Sequence, residues 1–370
     1  MTVKRITLTH CRVPLVEPFR ISSGAVAEKD GIVVRVETED LVGYGEASPM
    51  SGSFYSSDTP ESCWRDLREQ LIPAVLGRSF DRAQQASEGI RTLPGSNFAK
   101  AGIETAFWDI EAQRENVPLW QRLGGTPKPV ESGLAVGLYD DVNDLLRTID
   151  RYLAEGYKRV KIKIERGKDI ELVRAVRKTF GDIPLFVDAN GAYDLSDLPV
   201  FQALDDFGLM MFEQPFPGTK LWELAELQKL VRTPVCLDES LETVENLSEA
   251  MTLGSFKIAN IKIQRVGGFG PALAIYEMCR RGGIPVWMGT MPELGIGQAQ
   301  GMHFGTLSHC QFPTDVEASL RWFRDDIIDP LLEVKNGCLY PPNRPGLGFE
   351  VSQGKLQMYA VATEAFGSGA

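Results

Sequence analysis

The chain has 370 residues, of which 43 % are hydrophobic and 24 % are charged, as in an ordinary globular protein. Its formal net charge of −11 repels nucleic acid and anionic membrane surfaces, so we expect neither as a partner. It has no apolar run of about 18 residues and no signal-peptide core, so we expect a cytoplasmic protein without a membrane span.

Cysteine and histidine usage limits the metal chemistry of the chain. The six cysteines stand singly, without a CxxC pair, which argues against a disulfide framework and a thiolate zinc site. There are only three histidines. Any metal would therefore be held by carboxylates, which favours a hard cation such as Mg²⁺.

The first third of the chain begins with two predicted strands and two loops. Partial alternation of apolar residues over Val3–Val13 and Ile32–Glu37 predicts antiparallel strands. The segment VEPFRISSG, which carries Phe19, is typical of a loop. The Gly-, Ser- and Pro-rich segment ASPMSGSFYSSDTP predicts a second loop, whose large apolar residues we expect to be partly exposed: Met50, Phe54 and Tyr55.

Helices follow these loops. Apolar spacing predicts helical structure over Pro60–Leu76 and an amphipathic helix over Asn97–Glu115. The Gly124-Gly125 pair is typical of a helix end and marks a domain boundary. The first third is thus predicted to be a separate α+β domain.

The middle of the chain alternates short apolar strands with amphipathic helices. The predicted strands are GLAVGL, RVKIKI, PLFVDAN, LMMFEQP, PVCLDES, FKIANIKI and PVWMGT, with an eighth near CQFPTDV. Strand–helix alternation indicates parallel strands, and eight are enough to close a (β/α)8-type TIM barrel.

Three regions follow from this pattern. We expect an α+β capping domain at 1–125 with two substrate-covering loops, and a barrel at 126–320 that carries the metal and acid–base residues. The turn-rich segment 321–370 is expected to pack back on the capping domain and to complete it.

Charged residues recur at the ends of five consecutive predicted strands. Lys163, Asp188, Glu213, Asp238 and Lys262 are separated by 25, 25, 25 and 24 residues. Each interval is one strand–helix unit, so each residue takes the corresponding position at the carboxyl end of its strand, where parallel barrels keep their active sites. An internal salt-bridge network without catalytic role would not need this regularity.

The three acidic residues predict a metal site. Asp188, Glu213 and Asp238 on adjacent strands form a fan of carboxylate oxygens, which suits Mg²⁺, with Mn²⁺ as a substitute. Burying such charges unpaired would cost several kcal/mol each, on the order of the ionic desolvation penalty.

The lysines predict acid–base chemistry. Lys161 and Lys163 share one face of their strand, and Lys262 lies four strands away, so the lysines face each other across the barrel. A neighbouring ammonium and a nearby metal both favour the neutral amine of Lys163, which makes it a better base. The fitting reaction removes a proton α to a carboxylate and gives a metal-stabilised enediolate. A purely structural role for Lys161 stays open.

The motifs at these positions resemble the enolase superfamily. VKIKI, FVDAN, FEQP, CLDES and the NIKIQRVGG run, with Lys262 and Arg265 in a Lys-x-x-Arg pattern, are similar to the muconate lactonising subgroup. Within it the likeness is greatest to the o-succinylbenzoate synthase / N-succinylamino acid racemase family. VEPFRISSG, ELGIGQA and the tail DVEASLRWFRDDIIDP extend the likeness over nearly the whole chain. The resemblance implies a modified (β/α)7β barrel and a homo-oligomer.

The resemblance also implies roles for residues. Asp188, Glu213 and Asp238 would bind Mg²⁺, Lys163 and Lys262 would flank a small-molecule carboxylate substrate, and Lys161 would tune Lys163 and contact the substrate carboxylate. Residues expected to contact substrate are Phe19, Met50, Lys161, Asn190, Arg265, Gly289, Thr290 and Met291. Residues expected in supporting positions are Glu239, Asp315 and Glu317.

Three departures from the family pattern concern the substrate. The family usually has a Gly-Gly pair directly after the seventh strand, whereas this chain has Thr290 and Pro292 in that segment. These two residues would reshape the pocket for the acyl side chain. Ala135 replaces a Ser on the first barrel strand. Asp315 and Glu317 approximate the acidic pair with which dipeptide epimerases of this superfamily hold an ammonium, although Glu317 can equally be a carboxylate paired with Arg321.

The expected activity is that of a carbon–oxygen lyase, an o-succinylbenzoate synthase of menaquinone biosynthesis, with N-succinylamino acid racemisation as a second reaction of the site. A dipeptide or other N-acyl amino acid epimerase is the alternative. A non-catalytic relative would have lost a metal ligand or a lysine, and none is missing.

Overall fold

An antiparallel sheet and a group of helices form the first part of the computed structural model, which describes residues 1–21, 24–52 and 56–367. Residues Leu67–Leu71 form a π-helical turn between the first two helices. The elements are β1 (Arg5–Ile21), β2 (Gly24–Glu37), β3 (Val42–Ala47), α1 (Pro60–Asp66), α2 (Ile72–Val75), α3 (Ala83–Arg91), α4 (Asn97–Arg114) and α5 (Leu119–Arg122).

Helix α4 packs directly on strand β3. A Cβ atom at Gly45 would lie 2.0 Å from the carbonyl oxygen of Gly102, and one at Gly43 would lie 2.3 Å from that of Ala106. Glycine on the strand therefore allows the helix backbone to approach the sheet this closely. Ser96 caps the helix by accepting a hydrogen bond from the backbone N–H of Ala99 at 3.1 Å.

The first predicted loop is a strand for most of its length, so that prediction was wrong. Phe19 pairs with Val26 and Arg20 with Ala25 in the β1–β2 hairpin. The strand accommodates Pro18 because the pairing of β1 with β2 shifts register between Pro14 and Phe19, so Pro18 lies in an irregularity of the ladder, where its missing N–H is tolerated. Ser22 and Ser23 lie outside the described residues.

The second loop differs from expectation at Met50, whose side chain is buried instead of partly exposed. Phe54 and Tyr55 lie outside the described residues.

The middle of the chain forms a seven-stranded parallel sheet in the order β11-β10-β9-β8-β7-β6-β5. Each of the seven predicted strands is present. The elements are β4 (Val130–Glu131), β5 (Leu134–Val136), α6 (Val142–Ala154), β6 (Val160–Lys163), α7 (Asp169–Phe180), β7 (Leu185–Asp188), α8 (Leu198–Leu204), β8 (Phe212–Glu213), α9 (Leu221–Leu230), β9 (Val235–Leu237), α10 (Val244–Leu253), β10 (Ile258–Ile261), α11 (Ile263–Val266), α12 (Phe269–Arg281), β11 (Val286–Met288) and α13 (Gly295–Gly305), with 3₁₀ turns at Leu195–Asp197 and Asp205–Phe207.

The segment CQFPTDV, predicted as the eighth strand, does not form a regular strand. It is an irregular segment that joins the two edges of this sheet. The N–H of Asp315 donates to Met288 on one edge at 2.9 Å, and the carbonyl of Thr314 accepts from Gly133 beside the other at 2.8 Å. Because the segment changes partners within two residues and contains Pro313, it cannot form a continuous ladder. The curled sheet is therefore closed as a modified TIM barrel.

The last part of the chain returns to the N-terminal sheet. Strand β15 pairs antiparallel with β1, from Arg5–Gly367 to Cys11–Ala360, so the tail completes the capping sheet. Its elements are α14 (Ser319–Trp322), β12 (Ile328–Asp329), β13 (Cys338–Leu339), β14 (Glu350–Val351), α15 (Gln353–Tyr359) and β15 (Ala360–Gly367). Among the described residues, no helix has the length and apolar character needed to cross a membrane.

Candidate active site

The five regularly spaced charged residues lie at the carboxyl ends of neighbouring strands. In the parallel ladder Lys163 pairs with Asp188, and Asp188 pairs with Glu213. Asp238 follows β9 directly, and Lys262 follows β10. The five residues thus take corresponding positions at the carboxyl ends of their strands, as predicted. The strand ends bring all five side chains to one mouth of the barrel.

Two of the acidic side chains have opposite pKa shifts. Burial acts against ionisation of Asp188, but the charges of Lys161 and Lys163 outweigh it and hold the pKa well below its usual range. Burial raises the pKa of Glu213 to about 8, and the charge of Asp188 adds to the effect. The Nζ of Lys163 donates to Asp188 at 2.5 Å, and the Nζ of Lys161 donates to Oε1 of Glu213 at 2.9 Å.

Asp238, the third acidic residue, is paired with two cations. Lys262 donates to its Oδ2 at 2.8 Å, and Arg265 donates to its Oδ1. Burial acts against ionisation, but the charges of Arg265 and Lys262 outweigh it and lower the pKa of Asp238 to about 2. This carboxylate is therefore ionised at neutral pH.

Lys161 is the shared counter-ion of the acidic cluster. Its Nζ lies 3.0 Å from Asp188, 2.7 Å from Glu213 and 3.3 Å from Asp315. Burial lowers its pKa, but the charges of these carboxylates outweigh burial and raise it well above the usual value. Lys161 is therefore a cation in this arrangement.

The donor chemistry of the cluster fits a hard divalent cation. Asp188, Glu213 and Asp238 are fully buried oxygen donors, and burial, with the neighbouring charge of Asp188, disfavours the charged form of Glu213 when no further cation is present. Among residues 1–21, 24–52 and 56–367, no three acidic, His or Cys side chains are assembled as a metal-binding group. Lys161 lies between Asp188 and Glu213, so a cation and this ammonium are alternative counter-ions for the same oxygens.

A pocket opens to solvent above these residues. Lys161 and Lys163 of β6 and Lys262, which follows β10, lie in its wall. The other residues of its wall are Phe19, Met50, Ala135, Thr290, Met291, Pro292, Asp315 and Trp322. Phe19 and Trp322 meet edge to face, with ring centroids 5.1 Å apart.

Three residues expected to contact substrate lie outside the pocket wall. Asn190 donates to Glu239 at 3.0 Å and holds Asp188 through its own backbone N–H at 2.9 Å. Arg265 is directed at Asp238. Gly289 is close to Asn260, whose Oδ1 would lie 2.1 Å from a Cβ at this position.

Polar contacts anchor the loop that carries Met50. The Nζ of the buried Lys29 donates to the carbonyls of Ser48 and Pro49, each at 3.0 Å. The N–H of Ser48 donates to Gln264 on the barrel at 3.0 Å. These bonds join the capping sheet, the loop and the barrel just before Met50.

In the segment that replaces the predicted eighth strand, each of the two acidic side chains lies beside an arginine. Arg159 donates to Oδ1 of Asp315, and Ala135 N–H donates to Oε1 of Glu317 at 2.7 Å, with Arg321 Nε 3.7 Å from Oε2. Sequence reasoning missed Arg159. Strand alternation offered the signal, because Arg159, directly before β6, stands in the same alternating series as Lys161 and Lys163.

Comparisons with known proteins identify similar chains over the whole length. The N-terminal domain of the mandelate racemase / muconate lactonizing enzyme family matches residues 4–124, and the enolase C-terminal domain-like family matches residues 144–355. The o-succinylbenzoate synthase of Geobacillus kaustophilus is 40 % identical over 367 residues, 99 % of this chain and 98 % of that protein.

Other similar proteins have related activities. The N-succinylamino acid racemase of an Amycolatopsis species is 38 % identical over 94 % of this chain and 95 % of its own. The hydrophobic dipeptide epimerase of Enterococcus faecalis is 31 % identical over 79 % and 83 %. A crystal structure of an enolase superfamily member from Listeria innocua has a TM-score of 0.95 and 35 % identity, with 99 % of each chain covered.

Proposed function

The chain belongs to the enolase superfamily, in the family of the mandelate racemase and muconate lactonizing enzymes, and we propose that it is an o-succinylbenzoate synthase. This activity makes it a carbon–oxygen lyase of menaquinone biosynthesis. The observation that carries the proposal is 40 % identity to such a synthase over 99 % of the chain, together with an intact set of strand-end carboxylates and lysines. The racemase among its relatives supports N-succinylamino acid racemisation as a second reaction.

We assign Asp188, Glu213 and Asp238 as the residues that would hold Mg²⁺. The cation would supply a positive charge for the substrate carboxylate and stabilise the negative charge that develops there when the α proton leaves. The observation that supports the assignment is the buried, all-oxygen donor set at the carboxyl ends of three neighbouring strands.

Lys163 is the proposed base for dehydration. Its neutral amine takes the proton α to the carboxylate of a hydroxylated cyclohexadiene substrate, and the electron pair of the broken C–H bond enters the carboxylate as an enediolate. The same Nζ then returns the proton to the departing hydroxyl, so one water leaves and the ring becomes aromatic. Lys262 stays cationic on the opposite side and stabilises the anion.

Racemisation uses the same residues with one changed step. Lys163 removes the α proton of an N-succinylamino acid, and Lys262 donates a proton to the opposite face of the carbanion. Because both lysines lie in the wall of one pocket, a substrate between them presents a face to each. The two reactions therefore share the first proton transfer and differ in the fate of the intermediate.

The domain limits, cellular place and assembly are further parts of the proposal. We infer a capping domain at 1–125, a barrel at 126–320 and a returning segment at 321–370, in agreement with the pairing of β15 with β1. We infer a cytoplasmic homo-oligomer. Light scattering on the purified chain tests the assembly, and a single-chain mass contradicts it.

The experiment that tests the function measures product formation and α-proton exchange in D₂O with Mg²⁺ present. Wild type should form o-succinylbenzoate and exchange the α proton of N-succinyl amino acids. Lys163→Ala should lower both rates by about 10³-fold or more, because it deletes the base, while Lys220→Ala, a half-exposed surface lysine, should not change them. A folded wild type that forms no product would refute the synthase, and full activity in K163A would refute the assigned base.

A further inference from the structure

The pocket wall contains one carboxylate among its described residues, and that carboxylate belongs to Asp315. The other charged groups of the wall are the ammonium groups of Lys161, Lys163 and Lys262. An exposed Asp315 would be a natural partner for a positively charged substituent on the substrate, such as the free amino terminus of a dipeptide. Cations next to Asp315 therefore influence which acyl groups the enzyme accepts.

A buried arginine that lies outside the pocket wall forms an ion pair with Asp315. Arg159 is only 1 % exposed, and its guanidinium donates to Oδ1 of Asp315 and, at 3.3 Å, to the carbonyl of Pro313. Lys161 approaches the other oxygen, Oδ2, at 3.3 Å. Both oxygens of Asp315 thus face a cation that the protein itself supplies.

The surroundings of Arg159 hold the guanidinium in one place. Its central carbon lies 4.8 Å from the ring of Phe186 and 5.1 Å from the ring of Trp287, inside the barrel. A Cβ at Gly133 would lie 2.3 Å from its Nε, so the neighbouring strand makes room for the arginine with a glycine. The guanidinium therefore cannot easily move away when a substrate arrives.

Glu317 does not replace Asp315 as an ammonium acceptor. It lies two residues further along, outside the pocket wall, and its Oε1 accepts the N–H of Ala135 at 2.7 Å. Arg321 lies 3.7 Å from its Oε2. Each acidic residue of this segment is accompanied by its own arginine.

We propose that Arg159 is a specificity-determining residue that neutralises Asp315, so that the pocket rejects substrates with an ammonium group in the acyl part and accepts neutral or anionic acyl groups. The proposal rests on the proposed function, since it concerns the substrate of the same proton-transfer site. It separates succinyl substrates from dipeptides, which are the substrates of the alternative activity, by charge and not by size.

Three matched probes test this proposal by α-proton exchange in D₂O, followed by proton NMR. N-Succinyl-L-phenylalanine, L-alanyl-L-phenylalanine and N-acetyl-L-alanyl-L-phenylalanine share the reacting amino acid, and only the second carries an ammonium. Arg159→Met should raise kcat/KM for the free dipeptide relative to the succinyl compound by about tenfold or more, as expected for one new charge-assisted hydrogen bond. The acetylated dipeptide should not share this gain.

The controls assign the gain to the charge of Asp315. Adding Asp315→Asn to Arg159→Met should abolish it, and Arg159→Lys, which keeps the cation, should retain wild-type discrimination within about threefold. An unchanged ratio in folded R159M, an equal gain for the acetylated dipeptide, or a gain that survives in the double variant would each overturn the proposal.

A second variant covers the case in which R159M does not fold. Asp315→Asn alone leaves Arg159 without its carboxylate, so discrimination against the free dipeptide should rise by about threefold or more; an unchanged or lower discrimination overturns the proposal. Failure of the proposed function is recognised separately. Wild type that neither forms o-succinylbenzoate nor exchanges the succinyl probe refutes both, whereas an active wild type with an unmoved ratio refutes only the role of Arg159.

Discussion

Replacement of Lys29 by methionine should loosen the loop that carries Met50. The Nζ of Lys29 is the donor to the carbonyls of Ser48 and Pro49, and methionine has similar length but no donor. Leaving two buried carbonyls without this donor costs about 1–3 kcal/mol each. Part of this cost is offset because no ammonium is buried any longer, and burial does lower the pKa of Lys29. We expect a net loss of about 1–3 kcal/mol in unfolding free energy.

The assay combines urea unfolding with steady-state kinetics. Met50 lies in the pocket wall, so substrate binding to K29M must also order the loop, and KM should rise by about tenfold with kcat within about threefold of wild type. Lys220→Met is the matched control, because its side chain is half exposed and pairs only at the surface with Glu223. Wild-type stability and KM in K29M would refute the loop-anchor reasoning, and a loss confined to kcat would show that Lys29 acts on the chemistry instead.

Three further changes test other parts of the site. Lys262→Ala should abolish racemisation, because it deletes the proton donor to the second face, and racemisation that persists would contradict the two-face mechanism. Asp238→Asn should weaken Mg²⁺ binding by about tenfold or more in calorimetry and lower every activity together, since it removes a charged ligand; unchanged affinity would exclude Asp238 as a ligand. Burial raises the pKa of Glu46 from 4.5 to about 7. The carboxyl group of Glu46 therefore loses its proton at lower pH in the unfolded chain than in the folded protein. The free energy of unfolding should fall by up to about 3 kcal/mol as pH rises from 4.5 to about 7. Glu46→Gln should flatten this fall in urea unfolding at several pH values, and an unchanged slope would assign it elsewhere.

The strand-end residues could be predicted because they depend on local and repeating features. Apolar runs define the strands, and the spacing of about one strand–helix unit places Lys163, Asp188 and Glu213 in register, as their pairing shows. Alternation along β6 then separates Lys161 and Lys163 from the apolar residues between them. Neither inference needs knowledge of contacts between distant segments.

The pocket wall depends on distant contacts and was only partly predictable. Arg159 and Asp315 are 156 residues apart, and they meet where the irregular segment around Asp315 closes the barrel beside β5 and β6. Asn190 and Arg265 were expected to contact substrate, but their side chains turn toward Glu239 and Asp238 and lie outside the pocket wall. The sequence shows which residues stand close to a strand end, but the packing of the whole chain decides whether each side chain points into the pocket.

Part of the pocket wall comes from segments that carry none of the strand-end carboxylates or lysines. Lys163 ends β6 and Lys262 directly follows β10, whereas Phe19 belongs to a capping strand and Trp322 to the tail. The two rings lie 5.1 Å apart in the pocket wall. Substitutions at these two rings would change the pocket wall without replacing a strand-end carboxylate or lysine. The proposed selection by Arg159 is different, because this arginine directly precedes β6, the strand that carries Lys161 and Lys163. The shape of the pocket and the charge inside it are therefore set by different segments of the chain.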